Sequence, residues 1–321
     1  HDYIARAVAA HPRFELVAVV DDAFVPEWIH ERNREFAEEF GLSYLPDHDR
    51  ALAKSGCEVA VVSPEAERHC ELAARAAEAG LHVIVDKPLS PHLAEARELA
   101  ETVVRTGVRS LVWNRNFHPA LLQAREAVSA GTLGELCALH CDFYFAKDAG
   151  EPKGSRGKDD PPIDWLEHQV AAHVDGSDGG VGRKPMGELQ VEGIYPLAYL
   201  RFLSGGLRVE TVFARTASHF HQVHVDNEVE DLASVSLELE GGVAGSICLG
   251  RIGAASHPDL GEIKLHLVGT EGALVISEAR PEAAVHHRGQ PPEEFRHERL
   301  ANENDFLLLE DFLDAVATGG D

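Results

Sequence analysis

A lysine at the end of a predicted strand is the first residue whose type and place could do chemistry. The apolar run 81–85 is typical of a buried parallel strand, and Asp86, Lys87 and Pro88 follow it directly. Open α/β sheets bind ligands at the carboxyl ends of such strands. Lys87 could there hydrogen-bond a substrate hydroxyl and lower the cost of removing its proton. The alternative is an ordinary solvated lysine, which this position makes the weaker interpretation.

A pair of carboxylates ends another predicted strand. Asp21 and Asp22 follow the apolar run 14–20. In a dinucleotide-binding domain, an acidic residue after the second strand accepts hydrogen bonds from the adenosine ribose, and its charge disfavours a 2′-phosphate. Asp21 therefore predicts NAD(H) as the preferred cofactor, with NADP(H) left open. A cap or turn former is the alternative role of a strand-end aspartate.

Nineteen histidines raise the question of a metal site. The spacing of His219, His221 and His224 could bring two imidazoles to one face of a strand. A structural or surface role is the stronger interpretation, because neither CxxC nor HExxH spacing occurs in the chain. The sequence predicts no metal centre.

A long polar stretch covers residues 146–184 and is rich in Gly, Pro, Asp and Lys. Loops of this length in compact enzymes are often lids or binding segments, and a surface insertion is the alternative. Its candidate substrate-binding residues are Asp164, His168 and His173.

Strands and helices alternate through the first third of the chain. Apolar runs at 14–20, 58–62, 81–85 and 108–113 are separated by helical patterns at 26–40, 65–79 and 90–107. Glycines 41, 80 and 107 follow the helical patterns as stop signals. This alternation predicts a Rossmann-type, doubly wound parallel sheet with helices on both faces.

The pattern changes after residue 114. A helical pattern at 119–130 is followed by strands at 135–145 and over most of 207–277, and a helix at 305–317 closes the chain. Turn signals between the strands predict a large, mostly antiparallel sheet. We expect a dinucleotide-binding domain over 1–114 and an α+β domain for substrate binding and oligomerisation over 115–321.

The chain opens on a helical pattern at residues 2–10, with no strand before it. The first strand of a doubly wound dinucleotide domain is central, and the glycine-rich phosphate turn joins it to the first helix. A sheet without that strand would lose several hydrogen bonds, at roughly 1 kcal/mol or more each. We therefore expect the strand and the phosphate turn to precede residue 1. The alternative is a divergence that abolished dinucleotide binding.

The composition limits the class of protein and its partners. The chain has 321 residues, 44% of them hydrophobic and 26% charged, which is globular composition for about two domains. A net charge of −25 repels nucleic acid and anionic lipid, and no apolar run is long enough for a membrane span. Five cysteines without paired spacing suit reduced thiols, so we expect a cytoplasmic protein.

Several segments together resemble the Gfo/Idh/MocA family of NAD(P)-dependent oxidoreductases. Residues 79–90 (AGLHVIVDKPLS) resemble the family hallmark "AGKHVxxEKPLA", with Asp86 in place of glutamate. Further similar segments are residues 116–119 (NFHP), 131–136 (GTLGEL) and 304–306 (NDF). The resemblance implies a dinucleotide site formed by Asp21, Ser63, Pro64, His69, Asp86, Lys87 and Asn116. It also implies that His118 lies near the substrate. Helix capping is the alternative role of His118.

Residues 186–201 (MGELQVEGIYPLAYLR) resemble the pattern "GGxLxDxGxYPxxxxR". This is the tyrosine branch of the family, which includes glucose–fructose oxidoreductase and dihydrodiol and xylose dehydrogenases. The resemblance implies that Lys87 and Tyr195 are catalytic, with Tyr195 as the acid/base and Lys87 near it to lower its pKa. Val191 and Ala198 stand where the family has aspartates. Packing at a helix start is the alternative role of Tyr195.

The resemblance implies an enzyme that transfers a hydride between NAD(H) and a hydroxyl or ketone of a sugar, a sugar derivative or a cyclitol. A catalytically weak or inactive dinucleotide-binding regulator or accessory protein of the same fold is the alternative. The family also implies a homodimer or homotetramer that forms through the open face of the second sheet.

Overall fold

A computed structural model describes residues 2–54, 56–145, 186–219, 222–251, 263–277, 282–287, 290–296 and 303–319. They belong to two compact units. Unit 1 holds the described residues up to Trp113 and from Asp305 onward, and unit 2 holds those between Asn114 and Asn304.

Unit 1 alternates strands with helices, as the sequence predicts. Its elements up to Trp113 are α1 (Asp2–Ala10), β1 (Ala18–Val20), α2 (Glu27–Glu39), β2 (Ser43–Leu45), α3 (His48–Lys54), β3 (Val59–Val62), α4 (Ala66–Glu78), β4 (His82–Val85), α5 (Leu93–Thr106) and β5 (Ser110–Val112). Every described strand pair in this unit is parallel: β1 with β2, β3 with β4, and β4 with β5. The two sheets, β1–β2 and β3–β4–β5, are separate in the described chain. The strand expected between β1 and β3 stays a prediction.

Small residues allow helix α4 to pack closely on the β3–β4–β5 sheet. Ala73, Ala76 and Ala77 have 0% exposed surface and lie in one cluster with the buried Val83 and Val85 of β4. Burial of each valine contributes about 1.5–3 kcal/mol. This packing holds the carboxyl end of β4, where Lys87 begins the next loop.

Unit 2 is built on an eight-stranded sheet. Its elements are α6 (Pro119–Ser129), β6 (Leu136–Phe145), α7 (Glu188–Val191), α8 (Ile194–Ser204), β7 (Val209–Ala217), α9 (Gln222–Asp226), β8 (Leu232–Leu239), β9 (Val243–Arg251), β10 (Ile263–Gly269), β11 (Gly272–Ser277), β12 (Glu282–His287) and β13 (Glu293–Arg296). The strand order is β13-β12-β11-β10-β6-β9-β8-β7. The β6–β9 pair is parallel and the other neighbours are antiparallel. The predicted mostly antiparallel sheet is confirmed.

One face of this sheet is apolar and packs against α6 and α8. Strand β8 shows the two-residue period: Val235 and Leu237 are buried, whereas Ser234 and Ser236 are exposed. Leu203 of α8 is fully buried in the same core cluster. The opposite face is open in the described chain.

The last helix, α10 (Glu303–Thr318), lies almost wholly in unit 1, although the sequence predicts it as part of the second domain. Its Phe306 and Phe312 make edge-on ring contacts with His11 and His82, with centroids 5.2 and 6.5 Å apart.

Among the described helices, none combines the length and the apolar character needed to cross a membrane.

Candidate active site

The loop of Lys87 is organised by a buried carboxylate. Asp86 follows β4 and is 0% exposed. Its Oδ1 accepts hydrogen bonds from the Tyr3 hydroxyl and the Lys87 amide, both at 2.7 Å, and its Oδ2 accepts one from the Ser63 hydroxyl at 3.0 Å. Asp86 therefore holds together the loops that follow β3 and β4. Its predicted contact with the cofactor stays a prediction.

His69 joins the same two loops from helix α4. Its Nδ1 lies 2.8 Å from the carbonyl oxygen of Pro88, and its Nε2 lies 3.2 Å from that of Pro64. Burial lowers the pKa of His69, against the opposing effect of the Asp86 charge, so the neutral form is favoured. A neutral imidazole has one N–H, and the shorter contact is to Pro88. His69 thus fixes the turn after Lys87.

Asp21 is bound by three donors of the protein. Its Oδ1 accepts hydrogen bonds from Arg68 Nη2 at 2.5 Å and from the Asp22 amide at 2.8 Å. Its Oδ2 accepts one from Asn33 Nδ2 at 2.9 Å. A carboxylate offers about four lone-pair sites, so one acceptor position of Asp21 is left by these contacts. The residue fits one ribose hydroxyl of a dinucleotide at that position.

Sequence reasoning missed the arginines of this corner. Arg75 makes two hydrogen bonds to Asp22, at 3.0 and 3.1 Å, and a third to Asp49 at 2.8 Å. Arg68 and Arg75 are seven residues apart, which places them on one face of α4. That spacing, opposite a pair of strand-end aspartates, is the signal that could have identified them.

Tyr195 lies at the start of α8 in unit 2 and is 9% exposed. Its ring stacks on Phe143 of β6, with centroids 5.7 Å apart and an interplanar angle of 20°. The guanidinium carbon of Arg115 lies 5.6 Å from the Tyr195 ring centroid. Tyr195 is therefore packed at a helix start, as the alternative interpretation predicts, and the Arg115 cation also lies beside its ring. Its acid/base role stays a prediction.

Two glycines allow the turn that leads to Tyr195. A Cβ on Gly193 would lie 2.2 Å from the carbonyl oxygen of Leu189, and a Cβ on Gly187 would lie 2.1 Å from a carboxylate oxygen of Glu230. Glu230 Oε1 accepts a hydrogen bond from the Leu189 amide at 2.9 Å. The backbone contact requires glycine at 193, whereas at Gly187 the Glu230 side chain would have to move.

A buried charge cluster at the start of α7 was also missed. Glu188 is 0% exposed, and it accepts hydrogen bonds from Arg251 Nε at 2.6 Å and Nη2 at 3.3 Å. His224 Nε2 lies 3.1 Å from the same carboxylate. Burial raises the pKa of Glu188, but the His224 hydrogen bond and the Arg251 charge outweigh it and lower the pKa overall. In the part of the chain that the structure describes, no group of three or more His, Cys, Asp or Glu side chains could hold a metal.

The segment that opens unit 2 is hydrogen-bonded to Asn304, the second residue of α10, which belongs to the same unit. Asn304 Oδ1 accepts a hydrogen bond from the Phe117 amide at 3.0 Å, and Asn304 Nδ2 donates to the Asn114 carbonyl at 3.1 Å.

The Asn116 Oδ1 is buried without a hydrogen-bond partner among the described residues. His118 is the N-cap residue of α6, as its alternative role predicts, although its side chain makes no capping hydrogen bond. Asp164, His168 and His173 lie outside the described residues.

The class of protein follows from the fold and is confirmed by family comparison. Residues 1–114 match the model described as an oxidoreductase family with an NAD-binding Rossmann fold. Residues 185–275 match the model of the Gfo/Idh/MocA C-terminal domain. The chain belongs to the Gfo/Idh/MocA oxidoreductase family.

Relatives of known sequence align over different shares of the chain. The scyllo-inositol 2-dehydrogenase (NAD(+)) of Bacillus subtilis is 26% identical over 85% of this chain and 69% of its own length. The trans-1,2-dihydrobenzene-1,2-diol dehydrogenase of mouse is 28% identical over 67% of this chain and 56% of its own. An uncharacterised oxidoreductase of Escherichia coli, YhhX, is 34% identical over 35% of this chain and 33% of its own. The chain thus spans between a third and about two thirds of these relatives.

Solved structures share the fold. An inositol dehydrogenase homologue from Azotobacter vinelandii, complexed with NAD+, superposes with a TM-score of 0.76 and 23% identity over 99% of this chain and 83% of that one. A levoglucosan dehydrogenase complexed with NADH and levoglucosan gives 0.77 and 20% over 99% and 87%. The predicted Rossmann-type and α+β architecture is confirmed.

Proposed function

We propose that this chain is an oxidoreductase that transfers a hydride between NAD(H) and a hydroxyl or ketone carbon of a sugar, a sugar derivative or a cyclitol. The carrying observation is the Lys87 loop at the carboxyl end of β4, which Asp86 organises through a hydrogen bond to the Lys87 amide. Family membership supports the reaction class. The named activities of the inositol and dihydrodiol relatives support hydroxyl-bearing ring compounds as substrates.

In the mechanism we propose, two side chains of the protein handle the proton of the reacting hydroxyl. Lys87 donates a hydrogen bond to the substrate oxygen and stabilises the negative charge that develops on it. Tyr195 accepts the hydroxyl proton, and the nearby Arg115 cation stabilises the tyrosinate form. In the reverse direction Tyr195 donates the proton to the ketone oxygen. Bound NAD(H) supplies the hydride chemistry.

Several residues would bind rather than react. Asp21 would accept a hydrogen bond from one hydroxyl of the adenosine ribose. Ser63, Pro64 and His69 would shape the loops that follow β3 and β4. Asn116, whose side-chain oxygen has no partner in the described chain, would donate or accept at the ligand. The proposed substrate contacts are His118, Asp164, His168 and His173. In this proposal residues 1–114 bind the dinucleotide, and residues 115–321 bind the substrate and oligomerise.

The assembly and location that we propose are a cytoplasmic homodimer or homotetramer. The open face of the eight-stranded sheet supports the assembly, because it carries small residues such as Ser234 and Ser236 together with Phe213, which is 64% exposed. The odd number of cysteines, without CxxC spacing, supports the location, since a reducing compartment keeps thiols free.

The test is NADH formation with NAD+ and a panel of monosaccharides, anhydrosugars and inositols. We expect turnover on at least one polyol and its loss in Lys87→Ala. Dinucleotide binding by calorimetry without turnover on any substrate would instead favour a regulator or accessory protein. Val191 supports this second candidate function, because a buried apolar side chain stands where the family has an aspartate.

A further inference from the structure

The carboxylate expected to exclude a 2′-phosphate is neutralised by an arginine. Arg68 is 4% exposed, and its Nη2 lies 2.5 Å from Asp21 Oδ1 and 3.4 Å from Asp22 Oδ2. Asp21 itself is 7% exposed, so water screens this pair weakly. The end of β1 therefore presents an ion pair to a ligand rather than an isolated negative charge.

The second aspartate of the corner is neutralised in the same way. Asp22 is 6% exposed, and Arg75 Nη1 lies 3.0 Å from its Oδ2. Two aspartates and two arginines together contribute no net charge. Glu65, which pairs with Arg68 at 3.3 Å, and the exposed Asp49 add negative charge farther from Asp21.

Discrimination between the two nicotinamide dinucleotides depends on this charge balance. A free carboxylate after the second strand accepts ribose hydroxyls and repels the additional phosphate of NADP(H), whereas a nearby arginine accommodates that phosphate. This chain has both groups in contact. We propose that Arg68 is a specificity-determining residue that lets the site bind NADP(H) alongside NAD(H), with a preference for NAD(H) below about tenfold.

The hydrogen bonds of Asp21 also favour binding of both dinucleotides. Three acceptor positions of the carboxylate are used by Arg68, Asn33 and the Asp22 amide. While these bonds persist, Asp21 cannot accept hydrogen bonds from two ribose hydroxyls. A site that gains one hydrogen bond from the 2′-hydroxyl loses little when a phosphate replaces it. The inference rests on the proposed function, because it needs a dinucleotide at this corner.

The experiment compares the dissociation constants of NAD+ and NADP+ by calorimetry, without substrate. In the unchanged protein we expect the two constants to differ by less than about tenfold. Arg68→Met should weaken NADP+ binding by at least about tenfold, because Asp21 regains its full charge, and should change NAD+ binding by less than about threefold. Arg68→Lys should keep most NADP+ binding. Arg105→Met, which removes an exposed arginine of α5, is the matched control.

A complementary variant keeps the test valid if Arg68→Met does not fold. Asp21→Asn leaves the arginine in place and removes the carboxylate charge, so NADP+ binding should tighten by about tenfold relative to NAD+. A preference for NAD+ above about tenfold in the unchanged protein, or an unaltered NAD+ to NADP+ ratio in Asp21→Asn, would overturn the role of Arg68. Failure to bind either dinucleotide would overturn the proposed function together with it.

Discussion

Arg251 Nε lies 2.6 Å from Glu188 Oε1, and the two side chains are 3% and 0% exposed. The pair joins the end of strand β9 to the first residue of α7, the short helix that leads into the helix of Tyr195. Arg251 is held in turn by its backbone, since its amide donates to the carbonyl of Asp231 at 2.9 Å. This buried ion pair therefore fixes the position of α7, the element that precedes the helix of Tyr195.

Glu188→Gln should destabilise the protein by about 3–5 kcal/mol at pH 7, because it leaves the Arg251 charge buried without its carboxylate. The folded-state pKa of Glu188 is below its ordinary value, so this stabilisation is present above about pH 4.3 and is lost as the pH falls through the folded pKa. Urea unfolding of both proteins between pH 3 and 7 measures it. Glu240→Gln, in an exposed turn, is the control. A difference that does not shrink in acid would contradict this account.

Lys87→Ala should lower kcat by orders of magnitude while NADH binding persists, because the lysine acts mainly on the substrate oxygen and is one of several dinucleotide contacts. Steady-state rates and NADH titration by fluorescence check the two quantities separately. Lys87→Arg, which keeps the positive charge but changes its geometry, should retain more activity than the alanine variant. Unchanged turnover in Lys87→Ala would remove this residue from the mechanism.

Tyr195→Phe should abolish the limb of the pH–rate profile that reports the acid/base group, because phenylalanine cannot exchange a proton. Tyr199→Phe is the matched control, since Tyr199 lies one turn along the same helix and is 0% exposed. The profile should keep its limb in that variant. If the limb survives in Tyr195→Phe, a histidine performs the proton transfer.

Arg115→Met should move that same limb to higher pH, because it removes a cation that lies 5.6 Å from the Tyr195 ring centroid and favours the tyrosinate. Arg125→Met gives a matched comparison. Arg125 lies over the ring of Phe202, at 5.8 Å from its centroid. Both variants lose one cation–ring contact, so a shift of equal size in both would show that Arg115 has no particular effect on Tyr195.

Cys70 and Cys141 should resist thiol reagents in the native protein at pH 8. Burial raises the pKa of Cys70 to about 11 and raises that of Cys141 further, so few thiolates form. Cys137 is exposed and should react first. Mass spectrometry of labelled peptides across a urea series would then report the opening of unit 1 through Cys70 and of unit 2 through Cys141. Rapid native labelling of Cys141 would show that the sheet core is not closed.

The amino-acid sequence by itself determined the elements with a strong period. Alternating apolar runs and amphipathic helices identified the order of the main elements of unit 1, and Gly107, with φ 73°, ends α5 as predicted. Short elements were missed: β2, α3 and α7 have 3, 7 and 4 residues, too few to show two full periods. Lys87 and Tyr195 are predicted to be catalytic because each stands in a local motif.

Only the tertiary structure decided which distant charges meet. Arg68 reaches Asp21 across 47 residues, and Arg251 reaches Glu188 across 63. The assignment of α10 to unit 1, against the predicted domain bounds, is of the same kind. A local period specifies which face of an element is apolar, but pairing between distant elements depends on how their buried faces pack, and a single charged residue carries no record of its partner. The residues that tune Asp21 and anchor α7 therefore became visible only in the folded chain.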